Sequence, residues 1–374
     1  MEASSKIRIV LVIWNIQKGG AERVLSILAN LWAQRGWDVH VLTLESIPRR
    51  SGYELHSSVK IHPVGSDIST DGKNNRRFRI PITMRLRSKL RDLRPDAVVS
   101  FMDRINIKVL LATWGTNIPV FVCEHCDPRT RPIGHFNELL RRWLYPLARS
   151  VVVLSNEALS FFPPGIQARG SVIPNPVLPS PVSGSVCTRN AAKASKRIIS
   201  MGRLCPVKRF DRLIEAFGRV ADMHPSWSLE IWGEGPERGS LQKTINELNL
   251  GQKVRLCGVT DDVYQVLETG DLFALTSETE GFPMALCEAM ACGLPVISMD
   301  CPSGPRQIVR SGVDGVLTPN GDLNAFSAGL DRLMSDENER FRLGQRASDV
   351  VDRFSVDSVI NKWDQLFALY KIID

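Results

Sequence analysis

The sequence predicts an α/β protein of two doubly wound layers in series. Three observations carry this. Near-continuous apolar runs, such as KIRIVLVIW at 6–14, read as strands buried on both faces of a parallel sheet. Such runs alternate with helical patterns along the chain, as strand–helix–strand crossovers require. Finally, residues 176–196 (PVLPSPVSGSVCTRNAAKASK) are rich in Pro, Ser and Ala, lack periodicity and separate the first alternating series from a second. At 374 residues the chain has material for two cores.

The first strand runs into NIQKGGAE at 15–22, followed by a helical stretch, 23–35, and Gly36. A glycine pair there lets backbone approach an anionic group at a helix amino end; a plain tight turn is the alternative. The spacing is not GxGxxG, which argues against a nicotinamide enzyme. Further strands are expected at 38–44, 59–64, 97–101, 120–123 and 150–154. Residues 73–94 carry nine Lys or Arg against one acid, among them Arg76, Arg77, Arg79, Arg85, Arg87, Lys89 and Arg91. Apolar residues interleave with them, which suits an anionic lipid surface at ~1 kcal/mol per cation, or a solvated helix face. Nucleic acid is disfavoured, because no aromatic interleaving or binding motif accompanies the charge. In VCEHCDPRTR (122–131), His125 sits where a strand enters a loop. Its Cys-x-x-Cys neighbours invite zinc, but no second Cys/His pair stands at metal spacing. That leaves a loop histidine or one that reaches a ligand. FNELLRRWLYPLA (136–148) is amphipathic and is expected to pack on the sheet.

The second series opens with RIISMGR (197–203), a strand ending in Gly-Arg, and LCPVKRFD leads from it into a helix at 212–223. Arg203 and Lys208 flank a loop and can clamp a diphosphate. Read as surface cations they stand near a helix start, an electrostatically poor place. SLEIWGEGP (228–236) is a strand with a Gly-x-Gly turn. VRLCGVTDDV (254–263) is a strand, a glycine and an N-cap, Thr260 or Asp261. Then comes SETEGFPMALCEAMACGLPVISM (277–299). A strand at 272–276 precedes it, an acidic loop opens it, and a helix at 284–292 stops at Gly293 and Pro295. Its loop lies at a strand's carboxyl end and a helix's amino end, where open α/β sheets bind ligands and free N–H groups hold phosphate. Glu280 and Glu288 stand eight residues apart, an advance of ~12 Å if mostly helical. That matches the reach of a nucleotide-sugar from sugar hydroxyls to ribose diol. Alternatively they are a loop carboxylate and one favoured near a helix start. Helices at 322–334, 337–352 and 354–370 complete the chain.

The net charge of +7 suits a polyanionic ligand or an anionic membrane. Eight cysteines in a chain of this length, with no secretory leader, do not read as a disulfide framework. No apolar segment approaches the ~18–20 residues of a spanning helix. These features point to a reduced, cytoplasmic protein, peripheral on the inner face of the cell membrane.

The string E-G-F-P-M-A-L-C-E-A-M-A-C-G-L-P-V-I resembles the E-x7-E signature of the retaining GT-B glycosyltransferases of family 4. The Gly-Gly-Ala-Glu loop, Gly-Arg-Leu…Lys-Arg-Phe-Asp, Gly-x-Gly-Pro and the Ile-Pro-Asn strand end are similar to that family as well. The resemblance implies two Rossmann-like domains facing across a cleft. They would be an acceptor-side domain at 1–178, a linker at 179–196, a nucleotide-sugar domain at 197–353 and a helix at 354–374 crossing back. It implies that Arg203 and Lys208 bind the donor diphosphate, assisted by amides of Gly281, Phe282, Met284 and Ala285. Glu280 would orient the donor sugar, Glu288 the ribose, and His125 would touch the sugar. Gly19, Gly20 and Glu22 would border the phosphate and acceptor, and Leu256, Gly258 and Val259 the nucleobase. The implied activity is metal-independent transfer of a hexose or N-acetylhexosamine, with no cofactor and no metal. The donor is probed first as a UDP-sugar, and the acceptor as a polyprenyl-diphosphate-linked saccharide at the membrane. An epimerase on the same fold, or a non-catalytic basic membrane-binding protein, is the alternative.

Overall fold

A computed structural model of the chain describes residues 6–45, 51–65, 81–129, 132–181 and 195–373. Arg76, Arg77 and Arg79, and most of the expected linker (182–194), lie outside these. The chain divides into two compact units: Met1–Pro176 with Asp357–Asp374, and Val177–Val356.

The first unit begins β1 (Arg8–Ile13), α1 (Gly20–Gln34), β2 (Asp38–Thr43), β3 (Lys60–Pro63), α2 (Ile82–Leu93) and β4 (Ala97–Phe101). It continues α3 (Asp103–Thr113), β5 (Val120–Glu124), α4 (His135–Leu144), β6 (Ser150–Val153), α5 (Asn156–Ser160), α6 (Pro164–Gln167) and β7 (Gly170–Val172). Its seven strands are all parallel, in the order β3-β2-β1-β4-β5-β6-β7. The apolar runs are central: Ile9–Ile13 is wholly buried, because helices cover both sheet faces. Edge strand β3 is largely exposed.

The second unit holds β8 (Lys196–Met201), α7 (Phe210–Gly218), β9 (Trp227–Trp232), α8 (Arg238–Glu247), β10 (Val254–Gly258), α9 (Val263–Thr269) and β11 (Leu272–Leu275). Then follow α10 (Met284–Ala291), β12 (Val296–Asp300), α11 (Pro305–Ile308), β13 (Val316–Pro319), α12 (Leu323–Ser335), α13 (Glu337–Ala347) and α14 (Asp349–Arg353). Its six parallel strands run β10-β9-β8-β11-β12-β13. The order reverses between β8 and β11, and a doubly wound sheet opens its binding crevice at that reversal. Helix α7 buries Phe210, Leu213, Ile214 and Phe217, spaced i, i+3, i+4, i+7, in a core with Leu229 and Ile231. That stripe fixes the loop just before it. Helix α15 (Val356–Leu369) belongs to the first unit from Asp357 on, where Trp363 meets Trp32 edge-on at 5.7 Å and Phe367 lies 5.6 Å from it.

The α/β alternation is as the sequence predicts, but local details differ: the helix expected at 212–223 runs from Phe210 to Gly218. The run 337–352 is two helices, broken at Ser348. The cap of α9 is Asp262, whose carboxylate accepts from the Gln265 N–H at 2.9 Å, while Thr260 Oγ1 accepts from Asp262 N–H. Helix α4 turns apolar side chains outward: Phe136, Leu139 and Trp143 are exposed, whereas Arg141 is buried. Arg141 is held inside by Glu138, by Glu124 at 3.8 Å, and by the rings of Phe161 and Phe162, each at 5.3 Å.

Candidate active site

In the second unit the candidate residues gather at the carboxyl ends of β8 and β11, which are hydrogen-bonded neighbours. Beyond β8 the chain turns through Gly202–Arg203, and a short 3-10 turn (Pro206–Lys208) delivers Lys208 before α7. Beyond β11 the acidic loop leads into α10. Hydrogen bonds weld the loops together: Glu278 N–H donates to the Val207 carbonyl at 2.8 Å, and Thr276 Oγ1 to the Arg209 carbonyl at 2.9 Å. Lys208 Nζ therefore reaches Glu280 Oε1 at 2.5 Å. Ser277 Oγ donates to the same oxygen at 2.6 Å. Glu280 Oε2 has no partner among the described residues. Burial opposes the charge on Lys208, but the Glu280 carboxylate outweighs it, so the lysine pKa is raised. Arg203, on the same loop, is exposed and its guanidinium is unpaired among the described residues. Arg203 and Lys208 thus share one loop, and Lys208 carries the contact to Glu280.

Two glycines make this approach possible. Gly233 (φ +142°) ends β9 against the turn after β8, and a Cβ there would overlap the Gly202 carbonyl. Gly304 (φ +42°) follows β12, and a Cβ there would lie 2.8 Å from Pro283 Cδ and 3.0 Å from Glu280 Cβ. Ser303 Oγ donates to the Glu280 carbonyl at 2.9 Å, which pins the acidic loop from β12. Pro283 is the N-cap of α10. The N–H groups of Phe282, Met284 and Ala285 show no backbone acceptor among the described residues, while the loop at 280–281 is bridged to Ser303. With the positive end of the helix dipole they form an anion cradle. Glu288 is buried, as the fifth residue of α10. Only half of the eight-residue interval from Glu280 is helical, because the loop first bridges to Ser303.

In the expected nucleobase region Gly258 has φ +78°, its carbonyl accepts from Gly233 N–H at 2.7 Å, and Val259 is exposed. The Leu256 carbonyl accepts from Arg238 Nη2 at 3.0 Å.

In the first unit Gly19 caps α1 in extended backbone, and Gly20 is the first residue of that helix. The Tyr53 hydroxyl accepts from Gly19 N–H at 3.2 Å and donates to its carbonyl at 3.0 Å. Glu22 lies close enough to Gly19 that a Cβ there would strike its carboxylate, and burial raises the Glu22 pKa. His125 follows β5, stacked on Phe101 at 5.2 Å. Both of its ring nitrogens are buried and have no hydrogen-bond partner among the described residues. It lines a small cavity with Phe101, Leu154, Asn175 and Trp363. Burial pushes its pKa down to about 4. Neighbouring Glu124 faces inward to the Tyr145 hydroxyl and Arg141, and burial lifts it to about 7. Among the described residues no group of three or more His, Cys, Asp or Glu is placed to hold a metal.

The histidine carries a pH signature. Below the ordinary histidine range the unfolded chain takes up a proton that His125, its ring nitrogens buried, refuses. Stability should thus fall as pH drops from about 6.5 toward 4, by up to ~3 kcal/mol, and be flat in this respect above that window. Urea unfolding at several pH values should show a shallower acid slope for His125→Leu than for the wild type; equal slopes would refute the assignment.

In the basic segment, Arg85 donates to the Gly65 carbonyl at 2.9 Å and Arg87 to those of Ala112 and Trp114 at 3.1 and 2.7 Å. Half-buried Lys89 and exposed Arg91 show no such bond among the described residues. Sequence reasoning overlooked Ser277, Ser303 and Tyr53. Ser277, three residues before Glu280, carried a local signal in its hydroxyl; the other two are brought in by folding from distant loops.

Comparison with known proteins places the chain in a family. The family described as Glycosyltransferase Family 4 matches residues 18–180, and that described as Glycosyl transferases group 1 matches residues 188–350. An exopolysaccharide phosphotransferase of Streptomyces coelicolor is 29% identical over 284 residues, 76% of this chain but 27% of that protein. From Campylobacter jejuni, "GalNAc-alpha-(1->4)-GalNAc-alpha-(1->3)-diNAcBac-PP-undecaprenol alpha-1,4-N-acetyl-D-galactosaminyltransferase" is 24% identical over 367 residues, 97% of this chain and 99% of that one. Anabaena HepE, solved in complex with UDP and glucose, superposes with a TM-score of 0.79 at 18% identity, covering 97% of this chain and 99% of that one, a likeness of fold. The two family matches between them span both parallel α/β units, and the chain belongs to the group 1, family 4 glycosyltransferases.

Proposed function

We propose that this glycosyltransferase moves a hexose or N-acetylhexosamine from a UDP-sugar to a saccharide carried on a polyprenyl diphosphate, with retention at the anomeric carbon. The observation that carries the proposal is the Lys208–Glu280 pair, 2.5 Å apart beside the open N–H groups of α10. A donor diphosphate fits that cradle, neutralised by Lys208 and Arg203 and by the helix terminus. Glu280 Oε2 accepts from sugar hydroxyls and Glu288 serves the ribose. The bond from the anomeric carbon to the phosphate oxygen breaks, the acceptor oxygen bonds that carbon on the same face, and its proton passes to the departing phosphate. Stabilising the charge on that leaving group is the work of the two cations. The undecaprenol-linked substrate in the Campylobacter relative's name supports the acceptor class. Among the described residues no helix is long and apolar enough to cross a membrane, so the acceptor would be met at a membrane surface.

A panel of nucleotide-sugars tests this. A UDP-sugar should raise the melting temperature and release UDP slowly, and faster once undecaprenyl-diphosphate saccharides are added. Glu280→Gln should lower transfer by roughly 10²-fold or more. Turnover should survive a chelator; its loss would mean that a divalent ion does the neutralising. Conversion of the donor to its epimer without acceptor would replace the proposal with an epimerase.

A further inference from the structure

The exposed face of α4 is an unusual surface. Phe136, Leu139 and Trp143 are 72%, 54% and 75% exposed, and Leu147 on the following turn is 55% exposed. The first three are spaced i, i+3, i+7, so they fall on one stripe of the helix. Arg142 stands on the same helix with its side chain 62% exposed. Helix α3 packs against both α4 and α2, and α2 presents Met84, Ser88 and Arg91 to solvent, again at one helical spacing. A well-partnered helix buries its leucines and exposes its arginines. Here α4 does bury Leu144, but Arg141 is buried beside it while Phe136, Leu139 and Trp143 are outside.

We propose that this α4 stripe is the element that enters an anionic lipid bilayer, with Arg142 and Arg91 meeting the headgroups. The proposal rests on the reading that the acceptor is presented at a membrane, and it names the surface that meets it. Charge and chemistry single out this occupant. The chain is cationic at +7, and helix α2 alone carries Arg85, Arg87, Lys89 and Arg91 against Asp92. Phe136 and Trp143, with Arg142 on the same helix 3.5 Å from Glu138 and Arg91 on α2, suit the headgroup–acyl boundary. A second copy of the chain fits less well. Two aromatics at about 150–250 Å² each, with two leucines, fall short of the ~800 Å² per partner of a standard interface.

The full chain should float with vesicles of phosphatidylglycerol and phosphatidylcholine in equal parts, and far less with phosphatidylcholine alone. Changing Phe136, Leu139 and Trp143 together to serine should cut the bound fraction at least tenfold, with unchanged circular dichroism and melting temperature because the three side chains are exposed. Arg91→Glu with Arg142→Glu should weaken binding severalfold and flatten its salt dependence. Brominated lipid should quench the wild type more than Trp143→Phe. Flotation of the triple serine variant equal to wild type overturns the proposal. So does a wild-type dimer that this variant dissolves, which would give the stripe to a second copy. UDP-sugar hydrolysis in lipid-free buffer is read in parallel. Hydrolysis without flotation removes only the bilayer surface, and flotation without hydrolysis removes only the transferase reading.

Discussion

Lys208→Ala is expected to cut sugar transfer by roughly 10²–10³-fold, the scale on which a single group that stabilises transition-state charge acts. The lysine touches Glu280 and, by proposal, the donor phosphate, so its loss acts twice. Charge developing on the departing diphosphate loses a counter-ion. Glu280, 11% exposed at its side chain, also keeps a carboxylate whose ionic partner has gone, at a cost of about 1–3 kcal/mol to the second unit. The two effects separate in measurement. Weaker UDP binding with lowered kcat reports the diphosphate contact, whereas a fall in melting temperature reports the orphaned carboxylate. A variant that loses melting temperature but keeps kcat and UDP affinity would make Lys208 a structural residue. The raised lysine pKa adds a pH window. The pair's contribution is complete below the ordinary lysine range and disappears only as pH climbs through the raised value, so neutral and mildly alkaline buffers should give the same stability in this respect.

Gly233→Ala is expected to be the most destabilising single-methyl change in the second unit, by roughly 3–5 kcal/mol. Two penalties coincide. The residue sits at φ +142°, where an L side chain is strained, and the added methyl would overlap the Gly202 carbonyl, a backbone group that cannot rotate away. Relief requires the turn bearing Arg203 to move, so activity should fall further than stability explains. Gly239→Ala is the matched control. It lies exposed in α8 with nothing within 4 Å of a new methyl, and should stabilise by about 0.5–1 kcal/mol. Chemical denaturation of both variants decides the matter: equal, small shifts would mean that the turn adapts and that β9 does not fix the crevice.

Much of this was legible beforehand, for local reasons. The run 9–13 is apolar without alternation, and only a strand covered on both faces tolerates that. Gly293 and Pro295 stop α10 where expected, because turn chemistry acts over a few residues. The α9 cap was misplaced by one or two residues, since Thr260, Asp261 and Asp262 are all competent caps and only the hydrogen bond to Gln265 distinguishes them. Helix α4 shows the deeper limit. Its 3.6-residue pattern marks a side rich in Phe, Leu and Trp, and periodicity cannot say whether that side has a partner. The Phe161 and Phe162 rings and Glu124, from elsewhere in the chain, hold Arg141 inside, so the apolar stripe is left on the surface.

By itself the sequence determined the alternating elements, the loops at strand ends and the residue types those loops carry, because each is written in spacings of two to eight residues. Tertiary structure alone decided that β8 lies beside β11. That adjacency puts Lys208 2.5 Å from a carboxylate 72 residues away, with Ser277 on the same oxygen. Strand order is set by how crossover helices bury their faces over the whole sheet, a condition that no short window of sequence contains.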